Sequence, residues 1–364
     1  MSVLELHALH ERWGARFGEV RGAEVVLTYG EARAEHHALH TTVALLDLSF
    51  RGRLCVLGRD RERFLNGQTT NDVKALIPGQ GCYTTFVTAH GRMEADANLY
   101  RLADEFLLDT EPGSAEGLRQ RFEDHLVADE VQLTDVAPHF GLLSVQGPGS
   151  HAVWACLELR AELPATAFGV NCVTHPEYGE LYCVNHPRLG SPGWDLFAPT
   201  AALPALAEQL AEGVRSAGGQ PAGWDALEIG RIEAGLPRFG ADLDETIRPP
   251  EAGLESRAIS YRKGCYVGQE VIARLRTYGN LARRLCGLRL ADGLTALPVK
   301  GDELYRDGRP VGHITSAVYS PRLDAPIALG YVRREAPAPG TELILRSTGG
   351  ESAARIVPLP FVTP

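Results

Sequence analysis

Residues 262–280 read RKGCYVGQEVIARLRTYGN, and this stretch divides the chain into two kinds of sequence. Upstream, RIEAGLPRFGADLDETIRPPEAGLE at 231–255 is dense in glycine, proline and carboxylates. Downstream, from about Leu285, short apolar segments alternate with Gly, Pro and Asp turns. Within the stretch, Gly264 and Gly268 permit backbone conformations that a side chain blocks. Cys265 follows Lys263, whose charge favours a thiolate. Gln269 and Glu270 stand where a helix begins, and an acid in a first turn complements the helix dipole. The same residues also read as a glycine-rich turn with an incidental buried cysteine.

The chain has 364 residues, enough for two or three modules, and its 44% hydrophobic and 23% charged content fits a globular protein with a sizeable core. A net charge of -10 argues against broad wrapping of nucleic acid. A local basic patch survives that objection: Arg274, Arg276, Arg283 and Arg284 read either as a docking patch for a protein or tRNA or as an ordinary solvated face. No run approaches the roughly 18 apolar residues that span a bilayer. The opening MSVLELHALHERWG lacks the basic and then apolar pattern of a signal peptide. The seven cysteines are scattered with no C-x-x-C pair, so neither a disulfide framework nor a zinc site is indicated. The expected compartment is the cytoplasm.

Leu4, Leu6, Leu9 and Trp13 recur at helical spacing, and 35–49 reads as a second amphipathic piece ending in VALLDLS. A strand, a turn at Gly58-Arg59-Asp60 and a helix follow, with Asp60 as N-cap. Residues 81–110 alternate as a β-meander, with His90-Gly91 as a hairpin turn and Tyr83, Thr85 and Val87 on one face. A helix is predicted over 114–126. A second unit of similar design runs from about 131 to 214, with two strands over 170–184 and a helix containing Leu206 and Leu210. Strand–helix–strands–helix thus occurs twice, which predicts two related α+β subdomains. The last eighty residues predict a β-barrel, with Asp307-Gly308 as a hairpin turn and IVPLPFVTP as its closing strand.

Several chemistries are excluded by their motifs. There is no Walker A loop, no G-x-G-x-x-G after a strand, no H-E-x-x-H and no G-x-S-x-G elbow. His36, His37 and His40 sit at helical spacing and read as a surface rather than as metal ligands; no metal is expected.

The blocks RIEAGLPRFG, PPEAGL and KGCYVGQE resemble the YgfZ-type folate-binding proteins, within the superfamily of the glycine-cleavage T-protein, an aminomethyltransferase. DLSFRGRLCVLGRDRERFLNGQTTNDV and GQGCYTTFVTAHGRMEADANLYRL are similar to the superfamily's early blocks, and the last eighty residues to its barrel. The resemblance implies a three-lobed α+β cloverleaf: a body at 1–282 made of two α+β subdomains around a central folate channel, and a β-barrel at 283–364.

It also implies tetrahydrofolate, or a one-carbon derivative, as cofactor. A carboxylate would hold the pterin's adjacent donors, with Asp96, Asp195 and Glu233 as candidates and Arg231, or the arginines beyond Cys265, as cations for the glutamate tail. Tyr266, Gly268, Gln269 and Glu270 complete the candidate binding set; Cys265, Lys263 and Asp96 are the candidate reactive groups. Where the transferase carries an Asp-Asp pair, this chain has Ala95 and Asp96. Where the transferase has Gly-Glu-Asp-Gly-Phe-Glu, it has Gly190-Ser191-Pro192-Gly193-Trp194-Asp195. These departures favour an accessory role in maintaining iron–sulfur enzymes, including those that modify tRNA, with aminomethyl transfer as the alternative. The implied partners are folate and the iron–sulfur enzymes or their assembly machinery.

Overall fold

The alternating run after Pro78-Gly79 builds an antiparallel meander, Gln80–Val87 to Met93–Arg101 to Phe106–Thr110. Gly52–Leu57 and Gln132–Asp135 complete this five-stranded sheet. The pleat sends Ala95, Ala97 and Leu99 into a core with Leu54, Phe86 and Phe122. Helices Arg61–Gln68 and Ala115–His125 close that core through Phe64, Leu65, Leu118 and Phe122. Asp60 stands at the N-cap, but its carboxylate accepts from the Glu130 amide at 2.9 Å instead of capping the helix. In this computed structural model, residues 2–159, 161–279, 281–334 and 338–363 are described; Asn280, which ends the opening stretch, lies outside them.

A six-stranded sheet forms the second lobe, in the order Val170–His175, Gly179–Asn185, Gly193–Pro199, Phe140–Gln146, Ala44–Asp47, Gln220–Pro221. Helix Leu203–Ser216 packs on it through Leu206, Leu210 and Val214 against Trp194 and Leu196. The two sheets share a further core in which Tyr100 and Leu107 meet Leu142, Val184 and Phe197.

The stretch 35–49 does not form one amphipathic piece. Helix Ala32–Thr41 ends, and Ala44–Asp47 becomes an interior strand of the second sheet. All four strand residues are buried, so no alternation marks them as β. The N-terminal segment therefore lends a strand to the second lobe. The histidines also depart from expectation. His36 is 1% exposed and the His40 side chain 9%, whereas His37 is exposed. Helix Ala32–Thr41 packs on helix Trp224–Glu233, and residues four apart share that inward face.

The third lobe is a closed barrel in the order Arg283–Leu290, Ala325–Arg333, Arg309–Ser320, Glu303–Arg306, Glu342–Ser347, Gly350–Val357. Asp307 and Gly308 take φ of 51° and 74°, the paired positive values of a tight hairpin. Only Ile356 and Val357 of the tail lie in the closing strand. Pro358 and Pro360 lack ladder donors. The chain leaves the barrel there, Leu359 and Phe361 pack on Ile232, and the Phe361 amide donates to the Glu233 carbonyl. Among the described residues no helix is long and apolar enough to cross a membrane.

Candidate functional site

A cleft opens where the two sheets meet helix Trp224–Glu233 and the turn after it. Leu48, Leu189 and Trp224 give it apolar walls, and Asp96, Glu111 and five arginines (51, 188, 231, 238 and 257) give it charge.

Asp96 reaches the cleft because strand Met93–Arg101 turns Ala95 to the core and its neighbour to the other face. Its side chain is buried, and the Tyr83 hydroxyl donates to Oδ2 at 2.8 Å. Burial, reinforced by the negative charge of Glu111, pushes the Asp96 carboxyl up to about 7, while the Tyr83 bond pulls it down. A carboxyl poised near neutrality in a cleft is a candidate proton carrier. Glu111 binds Arg51 through Oε1; its other oxygen is buried with no hydrogen-bond partner, and Arg238 Nη1 lies 3.9 Å from it. A buried acceptor without a donor, beside a cleft, marks a place for one supplied from outside.

Beneath the cleft runs a chain of buried ion pairs. Arg51 Nε donates to Asp109 Oδ1, and Asn98 and Arg188 donate to Asp109 Oδ2 at 2.9 and 3.2 Å. Arg188 also forks onto Asp195 at 3.1 and 2.7 Å, and His186 Nδ1 lies 2.8 Å from the same carboxylate. Burial opposes ionisation at Asp109 and Asp195, but the arginines, joined at Asp195 by His186, outweigh it and hold both below the ordinary carboxylate range. Asp195 does not line the cleft; its oxygens are committed to Arg188 and His186.

On the opposite wall Arg231 forks onto Glu228 at 2.7 and 2.8 Å and reaches Asp242 at 2.7 Å. It lines the cleft with its guanidinium already engaged, so it is not a spare cation. Arg238 also binds Glu228, at 3.0 and 3.3 Å, and stacks 4.6 Å over Trp224. Arg257 lies 5.1 Å over the Tyr83 ring at the rim. Glu233 is elsewhere: it faces His36 and Ser320, outside the cleft.

None of residues 263–270 lines the cleft. The Lys263 ammonium donates to the carbonyls of Asn66, Thr69 and Asn71 at 2.7, 2.7 and 2.6 Å and sits 5.0 Å over the Tyr266 ring. Burial pulls it down to about 8. A buried ammonium must satisfy its donors, so this one serves the backbone of 66–71 and not the Cys265 thiol. Cys265 is exposed. Gly268 has φ of 82°, and a Cβ there would lie 2.5 Å from the Thr88 carbonyl oxygen. Helix Gln269–Tyr278 begins where the sequence places it, and Glu270 is exposed with Arg274 3.7 Å away. Of the expected residues, the cleft gathers Asp96 and Arg231.

Sequence reading missed Arg51, Tyr83, Glu111, Arg188, Glu228 and Arg238. The signal was charge embedded in apolar strand runs, as in FLLDTE at 106–111, where isolated charges are rare unless paired.

Residues 6–263 match the GCVT N-terminal domain, and residues 283–363 match the glycine cleavage T-protein C-terminal barrel domain. The chain belongs to the glycine cleavage T-protein family. The aminomethyltransferase of Rubrobacter xylanophilus is 31% identical over 363 residues, 98% of this chain and 93% of that one. That of Pelodictyon phaeoclathratiforme is 30% identical over 366 residues, 100% of this chain and 99% of its own. The glycine cleavage system aminomethyltransferase T from Bartonella henselae superposes with a TM-score of 0.89 at 27% identity, covering 100% of this chain and 98% of that one. The fold is thus the α+β T-protein fold with its C-terminal barrel. These relatives are aminomethyltransferases, so the family is shown at the level of the T-protein and not of its YgfZ-type branch.

Proposed function

We propose that the cleft binds tetrahydrofolate or a one-carbon derivative and that the chain transfers a one-carbon unit there, with Asp96 handling the proton. The Asp96–Tyr83 pair carries this reading: a buried carboxyl near 7 is present in both protonation states at neutral pH. The unpartnered Glu111 oxygen suits the donor edge of a pterin, the apolar walls suit its faces, and Arg257 at the rim suits an anionic tail. Tetrahydrofolate supplies the nitrogen that accepts the one-carbon unit. Asp96 takes and returns the proton, Tyr83 fixes its orientation, and burial limits water. Ala95 does not count against this reading, because its side chain lies in the core and an acid there would not face the cleft. The test is incubation with tetrahydrofolate and an aminomethylated lipoyl carrier. Methylene-tetrahydrofolate, ammonia and the dihydrolipoyl carrier should appear together; their absence overturns the transferase reading.

A second reading, a YgfZ-type accessory to iron–sulfur enzymes and tRNA modification, is favoured by the exposed Cys265 on a loop pinned by Lys263. One thiol cannot hold a cluster that ordinarily takes four ligands, so its contact would be transient. Arg274, 70% exposed, would belong to the docking surface. Charge reversal at Arg274 and Arg276 should then abolish partner capture and spare folate binding.

A further inference from the structure

His36 and His40 lie four apart on helix Ala32–Thr41, so both side chains leave the same face. Across from them, at the end of helix Trp224–Glu233, the Glu233 carboxylate is 1% exposed. His36 Nε2 is 2.9 Å from Glu233 Oε2, and His40 Nε2 is 3.8 Å from the same oxygen. One ligand-type atom from each of the three residues lies within 4.8 Å of the others. The His40 side chain is 9% exposed, yet its Nε2 has no hydrogen-bond partner. A buried ring nitrogen that faces a carboxylate just beyond hydrogen-bond reach is unusual, because buried polar atoms are ordinarily hydrogen-bonded.

We propose that His36, His40 and Glu233 form a binding site for one divalent transition-metal ion of the zinc class. Two histidines at i and i+4 with a carboxylate from another helix are a familiar zinc donor set. Bonds of about 2.1 Å in a tetrahedron place ligand atoms about 3.4 Å apart, and the two separations here, 2.9 and 3.8 Å, bracket that spacing. A supporting contact is already in place. Ser320, from the barrel, donates to Glu233 Oε1 and orients the carboxylate.

The groove beside His36, His37 and His40, bordered by Thr41, Pro321 and Arg322, gives the ion a way in from solvent and a fourth, open position. Arg322 Nη1 lies 3.4 Å from His40 Nδ1 and must swing away when that nitrogen takes the ring proton; its side chain is exposed and can do so. The ion would bridge helix Ala32–Thr41 to helix Trp224–Glu233 and, through Ser320, to the barrel.

The experiment uses untagged full-length protein, stripped with a chelator and titrated with zinc sulfate against a chromophoric competitor. About one equivalent should bind, His40→Ala should weaken it at least about tenfold, and His37→Ala should not change it. Cobalt(II) should give the intense visible bands of a tetrahedral site in the wild type and lose them in His40→Ala. Zinc should raise Tm in the wild type and not in that variant, which also reports whether the variant is folded. Failure of the wild type to retain stoichiometric zinc at micromolar concentration, or wild-type affinity in a folded His40→Ala, overturns the proposal.

Discussion

The Tyr83 hydroxyl donates to Asp96 Oδ2 across 2.8 Å from the adjacent strand. Register fixes this pair: Thr85 faces Asp96, and Tyr83, two residues back on the same face, reaches it diagonally. The bond opposes two stronger influences, burial and the Glu111 charge, and leaves the carboxyl near neutrality. Reactivity at this position is thus set by three residues on three consecutive stretches of one sheet and its edge.

Asp96→Asn keeps the shape and an oxygen for Tyr83 while removing the titrating group. One-carbon transfer should fall by about 10²- to 10⁴-fold, measured as kcat with the carrier substrate, with tetrahydrofolate affinity by calorimetry changed far less. The stability sign is also fixed. A carboxyl raised from 3.8 to about 7 binds more protons folded than unfolded between those values. The contribution of Asp96 to stability must therefore fall as pH rises through that window, by on the order of 1.4 kcal/mol for each pH unit crossed. The Asn variant should lack this slope in denaturant titrations from pH 4 to 8.

Tyr83→Phe removes the side-chain hydrogen bond that pulls the Asp96 carboxyl down. The titration of Asp96 should move to higher pH by about one pH unit, the equivalent of a hydrogen bond to a charged group. The acidic limb of the kcat profile should shift with it. An unmoved limb would assign the limb to another group.

The sheets and the barrel were legible because their strands carry alternation and turn chemistry: Gln80–Val87, Met93–Arg101 and the Asp307-Gly308 hairpin each follow from local pattern. Ala44–Asp47 was not, since a strand buried on both faces shows only an apolar run. The cleft was legible at Asp96 alone among its carboxylates. Glu111 acquires meaning only when a distant segment brings Arg51 to it, whereas Glu228 is held locally, by Arg231 three residues on in its own helix and by Arg238 in the turn beyond. Asp195 illustrates the converse: its position in the chain suggested a ligand, but Arg188 and His186 are seven and nine residues from it along the chain and occupy it.

Gly268 and Gly264 should respond oppositely to alanine. At Gly268 the φ of 82° and the Thr88 carbonyl oxygen, which would stand 2.5 Å from an added Cβ, both oppose a side chain. The cost should exceed the roughly 1–2 kcal/mol of a left-handed residue alone. At Gly264 nothing lies within 4 Å, and the substitution should shift Tm little. Thermal melts of the two variants make the comparison.

Lys263 and Cys265, two residues apart, should separate just as cleanly. Lys263→Met keeps the length of the side chain and its contact with Tyr266 but takes the ammonium donor from the carbonyls of Asn66, Thr69 and Asn71, of which Asn71 keeps the Val73 amide and the Thr69 hydroxyl. Stripping buried acceptors of a charged donor costs on the order of 3 kcal/mol, so the variant should melt lower and the 66–71 segment should exchange its amides faster. Cys265→Ser changes one exposed atom and should leave Tm, folate binding and one-carbon transfer at wild-type values. Its informative readout is iron–sulfur enzyme activity in a deletion strain. Loss of rescue there, with transfer intact, would assign the thiol a role independent of the cleft. Full rescue would exclude the thiol from the protein's function and leave Lys263 as a structural pin.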